Sequence, residues 1–273
     1  MKKIINISLW SLFALGTLVT LGFVQKEQGK RRATGLDINI NAEEESYFVT
    51  RDDIRQMLTD KGDSIIHQPL STIHVAELER LIDNNPCVSK SEVFVSVNGQ
   101  VRIKASQRKP VARVFSMSGD SYYMDADGKL MPWSVNYTAD VVAVNGFITE
   151  SYGNWYRYSA RDIESMPTLR AYSVLDDIYK IADFIQKDPF RKSLIGQIYV
   201  NADKEFELIP TAGTFRILLG DSGDLEEKFS KLKTFYREGL RNTGDWDAYS
   251  SVSLKYKNQI VCTKRIASWN QTL

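Results

Sequence analysis

The residues that look most like chemistry are Gly220-Asp221-Ser222-Gly223, which match the surroundings of the nucleophile in trypsin-like proteases. A serine attacks only when a general base lies within hydrogen-bond reach. The chain has 2 histidines, His67 and His74, both far upstream, and the protease family's histidine motif is absent. The tetrapeptide is better read as a strand-to-helix turn, and no catalytic residue is assigned. Pro69 separates the two histidines, so no continuous helix puts them on one face. With 2 cysteines besides, Cys87 and Cys262, the chain falls short of a Cys/His zinc site. The cysteines are expected as separately packed small apolar side chains; a disulfide would need Cα atoms within about 7 Å. Glu43-Glu44-Glu45 reads as a solvated run. No phosphate-binding loop, no H-E-x-x-H helix and no paired-carboxylate signature occurs, so neither metal nor cofactor is expected.

The composition excludes more. Of 273 residues, 43% are hydrophobic and 25% charged, as in ordinary globular proteins. Lys plus Arg number 35 against 34 Asp plus Glu, without the basic excess of a nucleic-acid binder. Length predicts about two domains.

Residues 4–24 hold no charge, enough for a helix to cross a hydrocarbon core about 30 Å thick. The competing reading is a signal peptide cleaved near Ala14-Leu15-Gly16. The apolar run continues well past Gly16, beyond the usual signal core, which favours an uncleaved anchor. Lys26, Lys30, Arg31 and Arg32 after the span outnumber Lys2 and Lys3 before it, whereas long C-terminal domains translocate regardless of charge; orientation stays open on this ground. Lys30-Arg31-Arg32 is a polar flank able to touch anionic headgroups.

Beyond a charged linker, residues 25–34, the pattern is mixed α+β. Leu36, Ile38 and Ile40 alternate as in a half-buried strand. Thr50 with Asp53 resembles a capping box for a helix burying Ile54, Met57 and Leu58 and ending at Gly62. A second helix, 71–84, carries the stripe Val75, Leu78, Leu81 and Ile82, and Asn85-Pro86 stops it. Val93, Val95 and Val97 lead into Asn98-Gly99, expected as a type I′ turn, and Val101 and Ile103 return. This gives β-α-α-β-β over 35–106. The region 107–265 reads mainly as strands: 111–115, 121–124, a hairpin at Asp127-Gly128, 141–144 closed by Asn145-Gly146, then 196–201, 205–209, 214–219 and one extended stretch, 249–264. Two helices interrupt. Ser173 is expected to cap one with the stripe Leu175, Ile178, Ala182 and Ile185. Asp224 and Glu227 form a capping-box variant before Leu225, Phe229, Leu232, Tyr236 and Leu240. Residues 266–273 remain as a tail.

Three stretches carry a resemblance. Residues 35–106, with Asn85-Pro86-Cys87-Val88 between helix and strand, resemble a POTRA domain. Gln107-Arg108-Lys109-Pro110-Val111-Ala112 is similar to a junction of the FtsQ/DivIB cell-division family. Tyr123-Met124-Asp125, Gly128 and Leu130-Met131-Pro132 resemble that family's hairpin. The resemblance implies a POTRA domain followed by a β domain, no enzymatic chemistry, and a single-pass inner-membrane scaffold. Its N-terminus would be cytoplasmic, its domains periplasmic and its place the division septum, although only Met1 to Lys3 precede the span. Its implied partners are FtsB/FtsL-type coiled-coil proteins and the septal peptidoglycan machinery. It also implies that the last strand pairs with a partner strand. The matching residues are Leu254, Lys255, Tyr256, Lys257, Asn258, Gln259, Ile260 and Val261. Leu254, Tyr256 and Ile260 or Val261 would share a face, with Lys255 and Lys257 toward partner carboxylates. An internal, fully paired strand is the plain alternative. An outer-membrane assembly protein is the competing class; tandem POTRA units and a barrel, typical there, are missing from this pattern.

Overall fold

In a computed structural model the described residues are 10, 13, 15–17, 31–41, 47–59, 65–240 and 247–265, with the backbone alone at 240. Most of the 4–24 segment lies outside them, as do Gly62, the run 43–45, Lys30 and the tail 266–273. Residues 10, 13 and 15–17 are helical. Among the described residues no helix is long and apolar enough to cross a membrane. The chain divides into two compact units, Met1–Gln107 and Arg108–Leu273.

Unit one follows the order strand, two helices, two strands: β1 (Gly35–Asn41), α1 (Arg51–Thr59), α2 (Val75–Asp83), β2 (Val88–Val95) and β3 (Gln100–Gln107). Its three strands lie in the order β1-β3-β2, with β1 parallel and β2 antiparallel to β3. The capping box at α1 is present. Thr50 N–H donates to the Asp53 carboxylate at 2.8 Å, and Asp53 N–H donates to Thr50 Oγ1 at 3.1 Å. Two N–H groups left orphaned by the helix start are thereby satisfied reciprocally. α2 begins later than its periodicity suggests, because a 3₁₀ turn (Leu70–Thr72) precedes it. It stops before Asn85-Pro86, where Asn85 Oδ1 accepts the Cys87 N–H at 2.9 Å.

Unit two contains β4 (Pro110–Phe115), β5 (Ser121–Asp125), β6 (Leu130–Pro132), β7 (Val142–Gly146), β8 (Ile195–Val200), β9 (Phe206–Pro210), β10 (Arg216–Gly220), β11 (Tyr249–Ser253) and β12 (Val261–Lys264). Between β7 and β8 run α3 (Tyr152–Trp155), α4 (Ala160–Ser165), α5 (Pro167–Arg170), α6 (Leu175–Gln186) and α7 (Pro189–Leu194); α8 (Leu225–Thr234) and a π-helical turn (Phe235–Leu240) follow β10. The strands form one 9-stranded sheet in the order β12-β11-β10-β9-β8-β7-β4-β5-β6. β7/β8 and β10/β11 pair in parallel. Parallel neighbours need a crossover, and these crossovers are where the helices sit. Alternate strand residues such as Val114, Val144, Ile198, Leu208 and Ile217 pack with Ile178, Ile181, Ile185 and Leu232 of α6 and α8 in one buried core. Each fully buried aliphatic side chain of this kind is worth about 1.5–3 kcal/mol.

Several expectations change. Besides α6 and α8, the short helices α3, α4, α5 and α7 occur. Their signals are local: a Ser159/Asp162 capping box starts α4, while Pro167 and Pro189 stand in the first turns of α5 and α7. Asp224 does not cap α8 through its side chain. It sits in the left-handed region at φ 50°, and its carboxylate makes no cap hydrogen bond. Ser173 does accept the Leu175 N–H at 3.1 Å, although Val174 occupies the N-cap position.

The Asn98-Gly99 turn is not type I′, since only Gly99 has positive φ, +85°. Gly99 N–H donates to Ser96 C=O, and Ser96 N–H to Gln100 C=O, both at 2.9 Å. That is a type I turn closed by a left-handed residue. The same pair of bonds recurs at Ser116/Gly119, Asp125/Gly128 and Asn201/Lys204. In the last, lysine takes the left-handed position at φ 61°. Gly146 is different in kind. At φ +107° an added Cβ would lie 2.2 Å from the Val200 carbonyl oxygen, so only glycine fits.

Candidate partner-binding edge

The end of the sheet at β12 is built from α8 outward. β11 lies parallel to β10, and Leu254 N–H, just past its end, donates to Leu218 C=O at 2.9 Å. The chain then leaves the sheet, and two α8 side chains hold it there. Lys231 Nζ donates to Tyr256 C=O at 2.6 Å and to Leu254 C=O at 3.2 Å. Glu227, one turn earlier, accepts the Asn258 N–H at 3.1 Å and pairs with Lys231 at 3.4 Å. The Asn258 N–H, aided by Lys231, holds the Glu227 carboxyl below its ordinary range. Lys255 pairs with Glu205 and likewise lowers that carboxyl. Asn258 takes the left-handed conformation, φ 61°, that reverses the chain.

Residues 254–260 are therefore a loop, not part of one extended strand over 249–264. This corrects the pattern reading in which Leu254, Tyr256 and Ile260 share a strand face. Leu254 is buried in the core, whereas Tyr256 is 51% exposed. Lys255, Lys257 and Gln259 are exposed loop residues, and Ile260 packs partly against the core. The Leu254 and Asn258 N–H groups and the Leu254 and Tyr256 carbonyls already have partners in the chain. Of the eight residues singled out from the sequence, Val261 alone lies in a strand, the first position of β12.

β12 returns antiparallel to β11, with Ser253 opposite Val261, Val252 opposite Cys262 and Ser251 opposite Thr263. It ends the sheet: among the described residues no strand lies beyond it. Two bonds fix which of its main-chain groups face outward. Leu254 N–H points to β10, so by alternation Ser253 and Ser251 point to β12. Arg265 N–H donates inward to Ala248 C=O at 2.8 Å, so Thr263 and Val261 also face inward. Both constraints agree: Cys262 and Lys264 present their N–H and C=O to the outside. Val261, Thr263 and Lys264 carry exposed side chains and Cys262 is half-buried, its thiol pKa raised by burial. Lys264 brings an exposed positive charge to the edge. These outward residues were missed because the predicted strand ran straight through the loop; Asn258, a turn former between Lys257 and Gln259, was the signal that it breaks.

The other candidate chemistry dissolves into structure. Ser222 Oγ donates to Asp177 at 2.5 Å, and Asp221 pairs with Lys228 at 2.6 Å. Unit two contains no histidine at all. His67 holds a positive-φ turn position and His74 the N-cap of α2. Among the described residues no cluster of three His, Cys, Asp or Glu is placed to hold a metal. Cys87 is buried in unit one and Cys262 belongs to unit two, both as thiols.

The junction and hairpin stretches meet at Asp125, whose side chain is 2% exposed. One oxygen accepts Arg108 Nη1 at 2.7 Å, and the other accepts the N–H groups of Asp127 at 2.9 Å and Lys129 at 2.7 Å. One carboxylate thus ties the start of unit two to the turn between β5 and β6, its second hairpin.

A family model described as FtsQ/DivIB, C-terminal related, matches residues 109–263, more than half of the chain. A second, described as a POTRA-like domain, matches residues 31–106. No curated protein matches the chain. The two matches follow one another along the chain, and the chain belongs to the FtsQ/DivIB family of division-related proteins, with a POTRA-like domain ahead of the family's C-terminal region.

Proposed function

We propose that this protein is a non-catalytic division scaffold that takes an extended segment of an FtsB/FtsL-type partner onto the outer edge of β12. The observation that carries this reading is the orientation of β12: Cys262 and Lys264 turn their main-chain donors and acceptors away from β11. A strand laid alongside satisfies those groups, while its side chains meet Val261 and Thr263 on one face and Cys262 and the basic Lys264 on the other. The remaining sheet edge is poorer for this purpose. β6 has three residues and ends in Pro132, which has no N–H to give.

In this reading the uncharged segment 4–24 anchors the chain in the inner membrane, both folded units lie in the periplasm, and the bound partner is linked to septal peptidoglycan synthesis. The test is depletion with imaging. Filamentous cells with unpinched septa are expected, and normally dividing cells would overturn the division role. Protease added outside the inner membrane is expected to digest residues past 35; their protection would overturn the topology.

A further inference from the structure

Unit one has an edge of its own, and its chemistry differs from that of β12. Ser96 N–H donates to Gln100 C=O at the hairpin end, so Phe94, Glu92 and Lys90 face β3 with their main-chain groups while Val93 and Ser91 face outward. Those outward donors are occupied. Val93 N–H donates to the Glu79 carboxylate at 2.8 Å, and Ser91 N–H to the Asp83 carboxylate at 2.6 Å. Glu79 and Asp83 are one turn apart on α2, and Val93 and Ser91 are two residues apart on β2. Both spacings are about 6–7 Å, so one helix face spans two successive edge donors. Ser91 Oγ adds a bond to Glu79 C=O at 3.2 Å.

We infer that Glu79 and Asp83 hold the outer edge of β2 shut against pairing with a second copy of this chain. The second copy is the occupant because the edge is complementary to itself. In an antiparallel pair centred on Ser91, Ser91 faces its own symmetry mate as a hydrogen-bonded pair, and Lys90 stands opposite Glu92 of the other copy on both sides. Lys90 and Glu92 are exposed on the face away from α2, where they pair with each other at 2.7 Å in the single chain. Opposite charges at directly facing positions favour that register, and like charges disfavour it. The carboxylates take the donors such a dimer needs, through charge-assisted bonds that a neutral carbonyl does not readily displace.

The test uses the purified full-length chain. In E79A/D83A, amide exchange at Ser91 and Val93 is expected to rise by roughly tenfold to a hundredfold, as two charged acceptors are lost. Sedimentation is expected to show a concentration-dependent dimer. Adding K90E should abolish that dimer, and K90E/E92K together should restore it. A folded E79A/D83A chain that stays monomeric overturns the inference, as does a dimer indifferent to K90E. Should the alanine pair fail to fold, E79Q/D83N preserves the side-chain shapes and removes the charges. A weaker dimer with faster exchange supports the inference there, and a monomer with unchanged exchange overturns it.

Discussion

Replacing Lys264 by proline separates the outer edge of β12 from its inner one. The Lys264 N–H points outward, so K264P breaks no hydrogen bond to β11, and proline is tolerated on an edge strand whose N–H side faces solvent. A bound partner strand is affected twice. It loses one hydrogen bond, about 1 kcal/mol net, and the proline ring leaves the partner's carbonyl buried without a donor, at about 1–3 kcal/mol more. The sum is about 2–4 kcal/mol, or roughly a 30- to 1,000-fold weaker Kd. Two controls bracket this. K264A removes the charge and keeps the N–H, so it is expected to weaken binding by less than about tenfold, in line with an exposed charge contact. T263P removes an inward N–H and is expected to lower the melting temperature along with binding. The assay is titration of a labelled peptide carrying the partner's extended segment, alongside thermal unfolding. A K264P protein that melts like the parent and binds as tightly as K264A would refute strand addition at this edge.

Four further outcomes follow from the geometry. K231M removes the cation that holds Leu254 C=O and Tyr256 C=O; faster amide exchange across 254–260 and roughly tenfold weaker partner binding are expected, with little change in melting temperature. D125N leaves the largely buried Arg108 without its countercharge and is expected to cost about 3–5 kcal/mol in urea unfolding of unit two. G146A drives a methyl group into the Val200 backbone and should destabilise by about 2–4 kcal/mol, or prevent folding, on the same assay. Asp176 is 1% exposed, among the described residues neither carboxylate oxygen has a hydrogen-bond partner, and burial followed by the neighbouring Asp177 raises its pKa despite Lys180 and Arg170. The folded state therefore holds this proton to higher pH than the unfolded chain does. Its contribution is most favourable below the unfolded value of about 3.9 and is lost as pH rises through the raised folded value. D176N should lack that loss, so its melting temperature relative to the parent should climb from acid toward neutral pH.

Local signals carried much of this fold. Thr50/Asp53, Asn85-Pro86 and the alternation of Leu36, Ile38 and Ile40 each act over a few residues, and each produced the element its pattern implies. Errors arose where a distant group decided the outcome. Asn98-Gly99 is compatible with two turn families, and the 96–100 bonds select the one with a single left-handed residue. Asp224 has the spacing of a capping box, but Glu227 is engaged by Asn258, thirty-one positions later. The run 249–264 has strand composition apart from Asn258, and its middle leaves the sheet where Lys231 and Glu227 hold it. No periodicity within that run records the lysine. The proposed edge adjoins the stretch 254–261 singled out from the sequence, while the outward pair Cys262 and Lys264 depends on parity counted from bonds at both ends of the hairpin.

That parity also explains how one sheet edge can be used while another is not. An exposed edge strand is a hazard unless something occupies or disfavours its donors. At β2 the donors of Ser91 and Val93 are taken by carboxylates from the adjacent helix. At β6 the strand is short and Pro132 removes a donor. At β12 the adjacent helix also reaches across, yet Lys231 and Glu227 spend their hydrogen bonds on the loop before the strand and leave the outward groups of Cys262 and Lys264 alone. The two helices thus perform opposite tasks with the same i, i+4 spacing: Glu79 and Asp83 cover an edge, whereas Glu227 and Lys231 shape the turn that presents one. Exchanging the two charges of the α8 pair exposes the difference. In E227K/K231E, a carboxylate at position 231 would face the Leu254 and Tyr256 carbonyls, and an ammonium at position 227 would face the Asn258 N–H. Every contact to the loop becomes repulsive although the intrahelical ion pair survives. The loop is expected to detach and partner binding to fall further than in K231M. Binding preserved in the reversed variant would mean that β12 holds its place without the latch.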